Sequence, residues 1–159
     1  MALPRPSLVD LSAYLDPSRI VFFNDAVTKH AALQALATEL SQAPAVSDAN
    51  AFMAAIFERE RVSSTGIGNG IAVPHAKLPS IEGFAIAVGI AQDGIHFDSR
   101  DGEPVRILVM IAASDQQREA YLKVLATVAS TLKRDEVCAA LLTAQASDAV
   151  ISALCTTGP

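Results

Sequence analysis

The chain is short of cysteine and histidine, has no long apolar run and no basic cluster, and each shortage removes a class of function. Its two cysteines, Cys138 and Cys155, lie in helical-looking sequence with no Cys or His close by. That excludes a disulfide framework and a cysteine-built metal site and leaves buried thiols as the expectation. The three histidines, His30, His75 and His96, show no i, i+4 pairing, so no metal ion is implied. The apolar stretches fall far short of the roughly 20 residues that cross a bilayer. The start Met-Ala-Leu-Pro-Arg-Pro carries no apolar signal core, so a cytoplasmic protein is expected, without direct membrane insertion. Net charge is -5 with the 12 Lys and Arg residues dispersed, which argues against a nucleic-acid surface.

Two enzyme classes fall for want of a motif. Gly66-x-Gly68-x-Gly70 is neither a dinucleotide fingerprint nor a Walker loop, lacks a following Lys-Ser/Thr pair, and runs into Pro74 where a phosphate-binding helix would begin. Ser63 and Ser64 lack the G-x-S-x-G frame of a hydrolase elbow.

What is present is a 51% hydrophobic chain of 159 residues, long enough for one domain that buries roughly 70% of the surface its unfolded form exposes. Residues 1–159 read as a single domain, with 1–18 an irregular lead-in marked by Pro4, Pro6 and Pro17 and 19–155 the core. At most one short helix falls in the lead-in, around Leu8 to Leu15. Ile20 to Phe23 reads as a strand. Thr28 then N-caps a helix whose apolar face is Leu33, Leu36, Ala37 and Leu40. A second helix, from about Asp48 to Arg61, buries Phe52 and Ile56 and carries Arg59 and Arg61 toward the glycine-rich loop.

Phe84 to Ala91 and Val105 to Ala112 are nearly continuous apolar runs, as expected of central strands covered on both faces. Gln92-Asp93-Gly94 and Ser99-Arg100-Asp101-Gly102 read as turns flanking a short antiparallel strand, Ile95 to Phe97. Ser114 and Gln117 have capping-box spacing ahead of a long helix with Leu122, Leu125, Ala126, Ala129 and Leu132 as its buried stripe. Helices from Asp135 and from Ser147 close the chain. The expected fold class is α/β, a mixed parallel and antiparallel central sheet with helices on both faces.

The run S-S-T-G-I-G-N-G-I-A-V-P-H-A-K, Ser63 to Lys77, is the chemically distinctive segment. Glycine tolerates positive φ and lets backbone N–H groups approach a ligand, while Pro74 fixes φ and pushes Val73 to extended geometry. His75 should therefore stand at a rigid strand end. An imidazole with an ordinary pKa of about 6.5 is largely neutral at physiological pH and nucleophilic at one ring nitrogen when the other is held by a carbonyl. Such a ring can accept a phosphoryl group, with charge on its oxygens stabilised by loop N–H groups, hydroxyls and an arginine. Arg59, Thr65 and Gly66 suit that task, as do Ser64 and Asn69 in the same loop. The plainer alternative is that His75 only hydrogen-bonds across a tight turn.

Glu58-Arg59-Glu60, then S-T-G-I-G-N-G-I-A-V-P-H, then Gly94-Ile95-x-Phe97-Asp98 and Asp101-Gly102-x-Pro104-Val105 together resemble the fructose/mannitol-type enzyme IIA domain of the bacterial phosphotransferase system. The resemblance spans about Ile20 to Leu154 and is strongest to the nitrogen-regulatory branch. It implies that His75 takes a phosphoryl group from a histidine phosphocarrier protein and passes it to a IIB cysteine or uses it as a regulatory signal toward target proteins. A sugar-specific transport component and a regulatory binding module that no longer transfers are the alternatives. No organic cofactor is implied. At one position the chain departs from the family: where members carry a second histidine on the helix after the last central strand, this chain has Tyr121, whose hydroxyl can donate to a phosphoryl oxygen but cannot become a cation near neutral pH.

Overall fold

A computed structural model describes residues 8–155; Pro4 and Pro6 of the expected lead-in lie outside the described residues. The two apolar runs become the longest strands, β5 (Phe84–Ile95) and β6 (Val105–Ser114), paired antiparallel from Phe84↔Ala113 to Ile90↔Ile107. Within the runs, large and small residues alternate, and the period of two sorts them to opposite faces. Phe84, Ile86, Val88 and Ile90 join one buried cluster with Ile107, Val109 and Ile111. Ala85, Ala87 and Ala91 join the other with Leu108, Met110 and Ala112. The small-residue face admits a close helix: a Cβ on Gly89 would stand 2.9 Å from the Phe23 ring and 3.2 Å from Leu36.

The remaining strands complete a six-stranded mixed sheet. β1 (Ile20–Phe23) runs parallel on β5. On the other edge of β6, β3 (Ile71–Ala72) and β4 (His75–Leu78) lie one after the other, both parallel to it. Pro74, which has no N–H to give a ladder, falls between them, and its carbonyl accepts the Ile111 N–H at 2.9 Å. β2 (Gly66–Gly68) pairs antiparallel with β3 through a two-residue Asn69-Gly70 connection.

Helices α1 (Lys29–Leu40) and α2 (Ala49–Val62) cover the small-residue face, capped by Thr28 and Asp48 side chains that accept from the Ala31 and Ala51 amides. Helices α3 (Arg118–Leu132), α4 (Asp135–Thr143) and α5 (Ser147–Cys155) cover the opposite face. The lead-in holds two short 3₁₀ turns, Leu11–Tyr14 and Pro17–Arg19. No described helix is long and apolar enough to cross a membrane.

Four local expectations are corrected. Gln92-Asp93-Gly94 is not a turn: β5 continues through it as an irregularity in register, Gly94 takes φ +78°, and Ile95 still pairs with Val105. Ser114 does not cap α3, because it is the last residue of β6 and its hydroxyl accepts from Gln116 two residues on; Gln117 stands at the N-cap without a side-chain bond. The buried stripe of α3 is Tyr121, Val124, Val128 and Leu132 with Thr127 and Thr131, leaving Leu122 53% exposed. The two cysteines are only half-buried, at the margin of the α3–α5 cluster.

Candidate functional site

His75 opens β4, and its ring geometry is set by the residue before the proline. Nδ1 lies 2.8 Å from the Val73 carbonyl. A carbonyl can only accept, so Nδ1 carries the proton and Nε2 is left as the unprotonated, nucleophilic nitrogen. Burial holds the His75 pKa below its ordinary 6.5; the positive charges of Arg59 and Lys77 push the same way, against the Val73 hydrogen bond and the Glu60 charge. All of these except the opposing pair keep the ring neutral at physiological pH.

His75 and Arg59 separate two open depressions. One, of about 500 Å³, is lined by Arg59, His75, Lys77 and Tyr121 with Ala55, Glu58, Val62 and Ala76. The other, of about 230 Å³, is lined by Ser64, Thr65 and Arg100 beside Arg59 and His75, over an apolar floor that includes Val73, Leu125 and Ala129. Arg59 reaches the site because α2 ends there: its Nη1 donates to the Ser63 carbonyl at 2.8 Å, and the remaining N–H groups of a five-donor guanidinium stay open to an anion. Arg61 turns outward to pair with Glu58. The Tyr121 ring centroid is 6.3 Å from that of His75, and burial raises its phenol pKa, so the hydroxyl remains a neutral donor.

The loop donors do something other than expected. The Thr65 N–H and hydroxyl both donate to the Glu60 carboxylate, at 3.0 and 2.6 Å. Ser64 Oγ donates to the Phe97 carbonyl and accepts the Gly66 N–H. Asn69 holds φ +58° ahead of Gly70 at +78°, the left-handed pair that a two-residue Asn-Gly hairpin requires, and its N–H donates to Asp101. The amides of Thr65, Gly66 and Asn69 are thus satisfied inside the protein and are not free to join an N–H cradle. Of the sequence-predicted residues, Arg59, Ser64, Thr65 and Tyr121 line the depressions with His75; Gly66 and Asn69 support the loop from outside them.

Gly66 has its own reason to be glycine. A Cβ there would meet Ser99 Oγ at 2.3 Å and the Ser99 Cα at 3.1 Å, so Gly66→Ala must shift backbone. Overpacking of this kind costs about 1–3 kcal/mol; a lowered midpoint in urea denaturation checks it, and an unchanged midpoint would show that the two loops separate freely.

Three contributors escaped sequence reasoning. Lys77 follows His75 by two on a strand and so shares its face. Glu60 continues the Phe52, Ile56 stripe at a spacing of four, a carboxylate where an apolar residue belongs; it is buried and salt-bridged to Lys29 at 2.8 Å. Lys29 Nζ also donates to the Phe97 carbonyl and lies 4.5 Å from the Phe97 ring centroid.

Comparison with known proteins follows the same line. The family model described as phosphoenolpyruvate-dependent sugar phosphotransferase system, EIIA 2, matches residues 13–156. The chain belongs to this enzyme IIA family. It is 40% identical over 123 residues to the fructose-specific EIIABC component of Bacillus subtilis (strain 168), covering 77% of this chain and only 19% of that protein. It is 30% identical over 143 residues to the fructose-specific EIIA component of Haloferax volcanii, covering 90% of this chain and 93% of that one. In fold, the IIA domain is similar to the crystal structure of nitrogen regulatory protein IIA-Ntr from Neisseria meningitidis, with a TM-score of 0.81, 22% identity, and coverage of 89% and 97% of the two chains. Enzyme IIA domains are phosphotransferase components, and the relatives span both fructose-specific and nitrogen-regulatory proteins.

Proposed function

We propose that this IIA domain is a phosphoryl carrier and regulator in which His75 Nε2 accepts a phosphoryl group from a histidine phosphocarrier protein. The observation that carries the proposal is the 2.8 Å contact of Nδ1 with the Val73 carbonyl, which frees Nε2 beside the Arg59 guanidinium in an open depression. Arg59 supplies charge-assisted hydrogen bonds to the phosphoryl oxygens, in bidentate geometry if both N–H groups engage, and the Tyr121 hydroxyl adds a neutral donor. Ser64, Thr65, Gly66 and Asn69 hold the loop that fixes the imidazole. The setting is cytoplasmic, and no cofactor is required.

The phosphoryl group then passes to a IIB cysteine or stays as a signal. Phosphorylation adds about −1.5 to −2 charge at pH 7, a large local change on a face that presents Arg59, Lys77 and Arg100, so the phosphorylated and free forms will favour different partners. We infer that the chain follows the nitrogen-regulatory branch from the sequence resemblance, with nitrogen regulatory proteins among its relatives.

Intact mass after incubation with a phosphocarrier, its phosphorylating enzyme and phosphoenolpyruvate tests the proposal. One phosphate-sized increase is expected, labile in acid and stable in base. A base-labile, acid-stable adduct would assign a hydroxyl ester and reject the histidine.

A further inference from the structure

Three amides of the loop that was expected to hold an anion, those of Thr65, Gly66 and Asn69, are already engaged, which leaves the question of what balances the charge of a phosphoryl group on His75. Arg59 is one cation. The geometry points to Lys77 as the second: we propose that its ammonium, held on the face of Tyr121, contacts the phosphoryl oxygens during transfer to His75, an inference that rests on the carrier reading above.

The placement follows from strand register. β4 pairs with β6 at His75↔Ile111 and Lys77↔Ala113, so the two side chains leave the same face two residues apart. Lys77 Nζ lies 4.8 Å from the Tyr121 ring centroid, within the range of a cation–π contact. That contact holds a long side chain over the depression that His75, Arg59 and Tyr121 line. Among the described residues the salt bridges are Lys29–Glu60, Arg61–Glu58 and Arg134–Glu136, none made by Lys77. The one carboxylate lining the depression, Glu58, is engaged at both oxygens by Arg61, at 3.1 and 2.6 Å.

Tyr121 cannot supply that charge itself. An imidazole there could carry charge; a phenol whose pKa burial has raised cannot. Tyr121 instead offers a ring face, and the charge comes from the neighbouring strand. The groups whose fields act on His75 are Arg59 and Glu60 from α2 and Lys77 from β4, and Lys77 already acts on the ring, lowering its pKa alongside Arg59.

In the transfer step, the donor's N–P bond breaks with its electron pair returning to the donor nitrogen, and the Nε2 lone pair forms the new N–P bond. The proton stays on Nδ1, donated to the Val73 carbonyl, and the donor leaves as a neutral amine or imidazole because it carries its own proton into the step. Charge on the three equatorial oxygens is what a cation can stabilise.

The test is the rate of acid-labile labelling of the full chain by two donors, a phosphorylated histidine phosphocarrier and phosphoramidate, which needs no protein docking. Lys77→Gln is expected to slow labelling about tenfold with both, as for an exposed charge a few ångströms from the group it serves. Lys77→Arg is expected to remain within about twofold of wild type. The acidic limb of the pH–rate profile should move to higher pH in Lys77→Gln, because a positive neighbour of the imidazole has gone. Lys77→Gln labelling at the wild-type rate with both donors would overturn the inference and leave the carrier reading standing. Slowing with the phosphocarrier alone would make Lys77 a docking contact and overturn it too. No label on wild-type His75 would remove the carrier reading and the inference together.

Discussion

Replacing His75 with alanine is expected to abolish phosphoryl uptake, by more than about a thousandfold, since removing a nucleophile leaves only the binding groups. The fold should survive, because His75 is half-buried at the first position of β4 and its strand pairing to Ile111 is made by backbone. Persistent acid-labile label in His75→Ala would show that another residue accepts the group. The wild-type pH profile carries a second check. In the proposed reaction the neutral ring is the nucleophile, and its pKa in the folded protein is held below 6.5 by burial first and then by Arg59 and Lys77. Uptake should therefore stay flat through neutrality and 6.5 and fall only as pH drops through the lower folded value. Stability follows the same sign: the unfolded imidazole binds its proton first, so the contribution of the neutral, buried ring is present above 6.5 and lost as pH falls through the folded pKa. His75→Ala should lose that part of the acid sensitivity, read as a flatter plot of urea midpoint against pH.

Much of the fold could be read from local pattern, because the signals lay within a few residues. Thr28 caps α1 as expected, α2 starts at the expected Asp48, which turns out to cap it, and the two apolar runs are the central strands. Failures came where a partner distant in sequence decided the outcome. The phase of α3 differs from the expected stripe because Thr127 and Thr131 turn inward: the Thr127 hydroxyl donates to the Lys123 carbonyl and accepts from the Val9 N–H, 118 residues away, and so is satisfied when buried. The Gln92-Asp93-Gly94 stretch looked like a turn, but the strand absorbs it with a glycine at positive φ. At the site, the place of His75 at a strand end was legible from Pro74 and the glycines, which constrain the backbone locally. The engagement of Thr65, Ser64 and Asn69 was not, because their partners are Glu60, Phe97 and Asp101, two of them 33 and 32 residues away. A loop rich in donors reads as an anion cradle until the acceptors that the chain brings to it are known.

Glu60 is the residue on which that loop turns, and Glu60→Leu is expected to cost about 3 kcal/mol. Its side chain is 5% exposed and accepts from Lys29 Nζ, the Thr65 N–H and the Thr65 hydroxyl. Leucine matches the apolar stripe of Phe52 and Ile56 but leaves both Thr65 donors buried without an acceptor, since Thr65 is 4% exposed. Lys29, at 22% exposure, can turn partly to water, so the larger share of the loss falls on the loop. Urea denaturation should show a lower midpoint at an unchanged m-value, and Glu60→Gln should recover part of the loss through its one carbonyl oxygen. The two variants also separate support from electrostatics. Glu60 raises the His75 pKa, against burial and the two cations, so in Glu60→Gln the acidic limb of phosphoryl uptake should move to lower pH while the plateau falls only modestly. A large fall in the plateau with an unmoved limb would mean that the carboxylate positions the loop beneath His75 without its charge reaching the ring.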